Sequence, residues 1–151
     1  MKNKKILITS LSLIFLISFF HFLSISNSWY WTYRWLDIPV HIVGGFWVAL
    51  TFLWVLLYVN FSDDIKKHKK KMFLLMMSSV LFTSIIWEVS ELFLGITYVE
   101  ASVYFEDTIT DIFSGMFGGY IAFLFFIKNK NSKKAKIDCE PILITDIKNE
   151  K

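Results

Sequence analysis

Six ionisable side chains are spaced in a way that could build one site: Asp37, His41, Glu88, Glu91, Asp107 and Asp111. The first and last pairs are four residues apart and the middle pair three, so each pair shares one face of a helix. Carboxylates with an imidazole can bind a divalent metal, since oxygen ligands suit Mg²⁺, Ca²⁺ or Mn²⁺ and a histidine adds Zn²⁺ or Fe²⁺. The metal-ligand candidates are Glu88, Glu91, Asp111 and His41.

Other interpretations of the same residues stay open. No strict metal-ligand spacing such as H-E-x-x-H is present, and these groups could instead bind or relay protons. They could also be structural: Glu106 or Asp107 is a suitable N-cap for the segment that follows, and Arg34 and His41 could neutralise the acids in ion pairs. No nucleophile–base pair can be argued, so the sequence does not establish an enzyme and identifies no cofactor beyond a candidate metal.

Four apolar segments carry these residues, at about 6–25, 38–59, 72–94 and 108–127. Each has about 20 residues, enough to cross roughly 30 Å of hydrocarbon at about 1.5 Å per residue. We therefore predict an all-α membrane protein, a bundle of four transmembrane helices over 1–127 followed by a flexible basic tail over 128–151. The first segment could also be a cleaved signal peptide, but its apolar run is long and no clear A-x-A site follows, so a retained helix is favoured.

The lysines indicate the orientation of the bundle. Of the 16 basic residues, 15 lie at the N-terminus, in the second connection or after the last segment, and Arg34 is the exception. The positive-inside rule then predicts a plasma-membrane protein with both termini cytoplasmic. Seven acids fall on the outer side: Asp37, Glu88, Glu91, Glu100, Glu106, Asp107 and Asp111. Counting back from the inner lysines places one ionisable group of each helix near one plane: His21, His41, Glu88 and Asp111.

Glycines extend two of the charged stripes. Asp107, Asp111, Gly115 and Gly119 follow one another at intervals of four, and Gly45 lies four residues after His41. Small residues one turn apart allow helices to approach closely, so both stripes are expected to face into the bundle. The charged ends of the second and fourth segments should then meet inside it.

These motifs together resemble the VanZ-like group of small membrane proteins and the related YjdF-like proteins. The matching residues are Asp37-Ile-Pro-Val-His41 with Gly44 and Gly45, Trp87-Glu88-Val-Ser-Glu91, and Asp107-Thr-Ile-Thr-Asp111 with Gly115, Gly118 and Gly119. The chain departs from that pattern at Ile38, where the family often has Lys, and at Gly115, where it often has Asn. It also lacks an Arg before Asp107. The resemblance implies a cell-envelope membrane protein, some relatives of which affect glycopeptide-antibiotic resistance, and it implies no particular reaction.

The functional expectation is an outward-facing acidic and histidine cluster that binds a divalent cation or a polar envelope ligand, such as a lipid headgroup or a peptidoglycan precursor. One alternative is a non-catalytic interaction or accessory protein whose acids are caps and structural ion pairs. A second is a small proton-coupled transporter, although the middles of the four segments carry no ionisable residue. The lipid bilayer is an expected partner and nucleic acid is not, because no binding motif accompanies the lysines. Nothing in the sequence indicates an oligomeric state.

Overall fold

The computed structural model describes the backbone of residues 2–58, 68–95 and 101–148, and the side chains of 7–30, 32–33, 35–56, 68–95 and 103–128. Its elements are α1 (Lys2–Ser26), the short helix α2 (Trp29–Thr32), a 3₁₀ turn (Arg34–Leu36), α3 (Asp37–Tyr58), α4 (Lys69–Leu94) and α5 (Ala101–Lys148). The side chain of Arg34 and the expectations for Glu100 and the second connection lie outside the described residues.

The predicted fold class is confirmed. Within the described residues the structure contains helices and no strand, and four of the helices are long and apolar enough to cross a membrane. The candidate spans are Leu7–Ser26, Asp37–Leu56, Lys69–Leu94 and Val103–Lys128. A hydrocarbon environment requires a helix, because every backbone amide must bond within its own segment. It also favours apolar side chains all round the helix, as these spans have.

The central helix is α3, which packs against α1, α4 and α5. Its closest approach is to α5, and glycines make it possible: a Cβ added at Gly45 would overlap the backbone of Gly115, and one at Gly118 would overlap the carbonyl of Ile42. Gly119 faces α4 instead, where an added Cβ would lie 3.0 Å from a methyl group of Val80. Small residues thus let the two backbones touch. Dispersion forces between the closely packed helices then stabilise the pair, because lipid provides no hydrophobic driving force for their association.

A buried stripe on α4 completes the interior. It consists of residues four apart, Met72, Met76, Val80, Ser84 and Glu88. The first three pack into an apolar core with Leu53 of α3 and Ala122 of α5. An interval of four keeps side chains on one face of the helix. Glu88, at the far end of this stripe, therefore also faces the interior of the bundle.

The start of α5 corrects one expectation. The helix begins at Ala101, so Glu106 and Asp107 lie more than a turn inside it and neither is its N-cap. At the other end the backbone stays helical to Lys148. Side chains after Lys128 lie outside the described residues, so the boundary between the span and a flexible tail at 127/128 stays a prediction.

Two adjacent glycines of α3 provide a matched test of the α3–α5 contact. An added Cβ meets nothing within 4 Å at Gly44 but overlaps the Gly115 backbone at Gly45. We expect Gly45→Ala to lower the free energy of unfolding by about 2 kcal/mol or more. Gly44→Ala should leave it unchanged or raise it by up to about 1 kcal/mol, the usual gain in helix propensity.

Thermal denaturation of both variants in the same detergent measures the difference. Equal stability of the two variants would show that α3 and α5 do not meet at Gly45.

Candidate functional site

The end of the bundle where α1 and α4 finish and α3 and α5 begin has carboxylates from three helices around one imidazole. His41 Nε2 lies 3.5 Å from Asp37 Oδ1, one turn earlier in α3. It lies 3.9 Å from Glu88 Oε1 of α4 and 3.9 Å from Asp111 Oδ2 of α5. Three separate helices must therefore pack correctly for these groups to meet.

This cluster is withdrawn from solvent and its polar atoms are unsatisfied. The side chains of His41, Glu88 and Asp111 are 6%, 7% and 2% exposed. Within the described residues, His41 Nε2, Glu88 Oε1 and Asp111 Oδ2 are buried and have no hydrogen-bond partner. Leaving a buried polar group unsatisfied costs roughly 1–3 kcal/mol, and more when the group is charged. Two such oxygens beside one unpartnered imidazole nitrogen are unusual in a folded protein, where buried polar groups are generally hydrogen-bonded.

Glu91 joins the same cluster and is held in position by Trp87. The Trp87 indole Nε1 donates a 2.8 Å hydrogen bond to Glu91 Oε1. Ligand atoms of His41, Glu88 and Glu91 lie within 4.8 Å of one another, as do those of Asp37, His41 and Asp111. His41 is common to both sets, so the structure brings five of the six sequence-predicted residues together. We call these five the His41 cluster: Asp37, His41, Glu88, Glu91 and Asp111.

The sixth residue, Asp107, lies to one side of the cluster. It lines an open cavity between the starts of α3 and α5, which we call the acidic vestibule. The cavity is lined by Trp35, Asp37, Ile38, Val103, Glu106, Asp107, Thr110 and Asp111. The vestibule therefore shares two members, Asp37 and Asp111, with the His41 cluster.

A second cavity beside His41 is mostly apolar. Ile14 and Ile17 of α1, Gly44 and Val48 of α3, and Thr83 of α4 are among its lining residues. His41 lines this apolar cavity, whereas the acidic vestibule reaches the cluster through Asp37 and Asp111. The two environments differ sharply in how well they accept a charge, because an ion gains nothing from an apolar wall.

His21 supports the cluster without belonging to it. The His21 ring packs 5.2 Å from the Trp87 ring, which in turn lies 6.5 Å from the His41 ring. His21 Nδ1 and the Tyr30 hydroxyl share a 2.9 Å hydrogen bond. Burial, and to a smaller extent Asp37, raise the pKa of Tyr30, so its hydroxyl keeps its proton at any physiological pH.

Sequence reasoning missed two supporting residues. Trp87 lies four residues before Glu91, a spacing that brings side chains into contact on a helix and could have identified the pair. Tyr30 belongs to an aromatic run, 29–35, of the kind that lines a headgroup belt. Its bond to His21 depends on how the first connection folds back, for which the sequence holds no local pattern.

Removing the Tyr30 hydroxyl tests this outer support. We expect Tyr30→Phe to lower the free energy of unfolding by about 1 kcal/mol, because His21 Nδ1 loses its partner in a half-buried setting. Tyr33→Phe, at a side chain that is 50% exposed, is the control and should change it by less than about 0.5 kcal/mol. Chemical denaturation in detergent measures both, and equal effects would contradict the role assigned to Tyr30.

The chemistry open to the His41 cluster follows from its donors. Four carboxylates and one imidazole provide oxygen ligands and one nitrogen ligand, a set that fits a divalent transition metal. The orphaned atoms Oε1 of Glu88 and Oδ2 of Asp111 each lie 3.9 Å from the orphaned Nε2 of His41, which is common to both candidate ligand sets. The same groups can also hold a proton among them, because carboxylates this close to one another do not all ionise easily.

Comparison with known proteins identifies a family. No curated protein and no solved structure matches the chain. The sequence model of a family described as "Predicted membrane protein (DUF2238)" matches residues 2–132, which include all four candidate spans and the whole His41 cluster. The chain therefore belongs to this family of membrane proteins, DUF2238.

Proposed function

We propose that this integral membrane protein holds a divalent cation in the His41 cluster. The observation that carries the proposal is that, among the described residues, His41 Nε2, Glu88 Oε1 and Asp111 Oδ2 are buried and unpartnered, with each of the two oxygens 3.9 Å from the imidazole nitrogen. A cation beside Nε2 would bind it together with the carboxylates of one of its two sets, Asp37 and Asp111 or Glu88 and Glu91.

The distances favour a cation over direct ion pairs. A charge-assisted hydrogen bond from imidazole to carboxylate is about 2.7–2.9 Å long, whereas Nε2 lies 3.5–3.9 Å from three carboxylate oxygens. Ligands bound about 2.0–2.1 Å from a tetrahedral ion lie about 3.4 Å apart, close to the observed spacing. A purely structural network, by contrast, would draw His41 onto one of the acids.

The charge balance supports the same conclusion. One imidazole carries at most a single positive charge, and four carboxylates surround it in a low-dielectric region. Removing charges from water without pairing them is expensive, so the carboxylates must either take up protons or gain another cation, and the proposal is the cation. A divalent ion supplies two charges and accepts several ligands at once.

The donor set narrows the choice of cation. Carboxylate oxygens alone would suit Mg²⁺ or Ca²⁺, but the imidazole nitrogen shifts the preference toward Mn²⁺, Fe²⁺ or Zn²⁺. The Trp87 hydrogen bond to Glu91 resembles the outer bonds that orient metal-binding carboxylates.

The lysine distribution supports an orientation that has the site on the outer side of the plasma membrane. Both termini then lie in the cytoplasm, and the His41 cluster faces the envelope. An envelope ligand carrying phosphate, such as a lipid headgroup or a peptidoglycan precursor, would meet carboxylates first and would need the cation as a bridge. The VanZ-like resemblance supports an envelope location. The cation is proposed first, because such an envelope ligand would bind only after it.

Metal content of the purified protein tests the proposal. We expect about one Mn²⁺ or Zn²⁺ per chain after loading and desalting, and at least a tenfold loss of affinity in Glu88→Gln and Asp111→Asn. Asp138→Asn is the charge-matched control, since it lies on α5 roughly 40 Å from Asp111 along the helix axis. Mass spectrometry of bound metal gives the stoichiometry.

Equal metal content in all four proteins would contradict the proposal. Absence of metal from all of them, with lowered thermal stability in Glu88→Gln and Asp111→Asn, would favour the accessory protein with structural ion pairs.

Trp87→Phe tests whether the hydrogen bond from Trp87 to Glu91 supports metal binding by the His41 cluster. The change keeps a ring beside His21 and His41 but removes the donor to Glu91. We expect affinity for Mn²⁺ to fall by about tenfold or more, as when the outer partner of a metal ligand is lost. Trp35→Phe, at a side chain that is 63% exposed, should leave the affinity within about twofold. Isothermal titration calorimetry compares them, and equal affinities would refute the role of Trp87.

A further inference from the structure

The acidic vestibule is continuous with the His41 cluster. Its walls come from the starts of α3 and α5, and carboxylates line both: Asp37 on one side, and Glu106, Asp107 and Asp111 on the other. Glu106 is exposed, whereas Asp111 is 2% exposed. The lining acids thus run from the surface into the interior.

Asp111 links the vestibule to the ion site by an independent observation. It lines the vestibule, yet its Oδ2 is buried, has no hydrogen-bond partner among the described residues and lies 3.9 Å from His41 Nε2. A surface acidic patch alone would need no such atom, because exposed carboxylates are satisfied by water. The orphaned oxygen indicates that the acidic path ends at a ligand position.

Two other directions out of the cluster do not favour an ion. Deeper in the bundle, Gly45 and Gly115 bring the backbones of α3 and α5 into contact, and the apolar core around Leu53 and Met76 follows. The second cavity that His41 lines is mostly apolar, and a hydrated cation would lose its water there without gaining ligands. Of these two cavities beside the cluster, the vestibule is the polar one.

We propose that the acidic vestibule is the passage through which a hydrated divalent cation reaches and leaves the His41 cluster, and that the exposed Glu106 carboxylate speeds its arrival. This inference rests on the proposed cation site and adds its access and its kinetics. Because packed backbones and the apolar core lie deeper in the bundle, the cation leaves by the same passage and returns to the compartment it came from. The protein is then a cation-binding protein of that compartment and not a carrier across the membrane.

Size and charge both fit this role. The vestibule is open to solvent and contains about 630 Å³ of space, including the solvent at its mouth. A cation with six waters needs roughly 200 Å³, since each water occupies about 30 Å³ in the liquid. A cleft lined by one sign of charge concentrates the opposite ion and raises its association rate, an effect that salt suppresses.

Stopped-flow mixing of metal-free protein with Mn²⁺ tests the inference, using quenching of Trp87 fluorescence beside the site as the readout. We expect Glu106→Gln to slow association about three- to fivefold at low ionic strength and less than twofold at about 0.5 M salt. Glu106→Lys should slow it by about tenfold or more. Dissociation should be unchanged in both, because Glu106 does not belong to the His41 cluster.

Asp138→Asn is again the control, because it changes the net charge by the same amount as Glu106→Gln. This variant should bind Mn²⁺ at the same rate as the unsubstituted protein. Unchanged association in both Glu106 variants, with Mn²⁺ still bound, would overturn the vestibule as the passage and leave the cation site standing. Faster dissociation with unchanged association would also overturn it, because Glu106 would then be a ligand. Absence of Mn²⁺ binding to the unsubstituted protein would overturn the site and the passage together.

Discussion

The contact between Gly45 and Gly115 is the constraint on which the rest of the structure depends. His41 lies one turn before Gly45 in α3, and Asp111 lies one turn before Gly115 in α5. When the two glycines bring the backbones together, the side chains one turn further toward the end of the bundle must face each other. The 3.9 Å separation of His41 Nε2 and Asp111 Oδ2 is therefore a consequence of helix packing.

The same packing creates an electrostatic problem that the proposed cation would solve. Glu88 enters from α4 as the last member of a stripe whose other members are buried, so it cannot turn to solvent without breaking that face. Carboxylates from three helices then converge on one imidazole in a region with little water. Apolar residues of the same size would pack there at lower cost, so the presence of the charges agrees with the proposed cation.

The fold and much of the site could be predicted from the sequence because both depend on local periodicity. Segment length determined the four spans, and intervals of three and four identified which side chains share a face. The start of α5 was missed, since helix continuation through 101–106 depends on no strong local pattern. The vestibule, the apolar cavity and the Tyr30–His21 bond depend on how helices rotate against one another and how the first connection folds back, which periodicity does not specify.

The proposed function requires a cation beside His41 Nε2, which lies 3.9 Å from both Glu88 Oε1 and Asp111 Oδ2. Anomalous diffraction from crystals of the protein soaked in Mn²⁺ tests this position most directly. We predict one strong anomalous peak about 2.0–2.3 Å from His41 Nε2 and from carboxylate oxygens of one of its two sets, Asp37 with Asp111 or Glu88 with Glu91. A cluster without a peak, in which His41 donates a hydrogen bond of about 2.8 Å to one carboxylate, would contradict it.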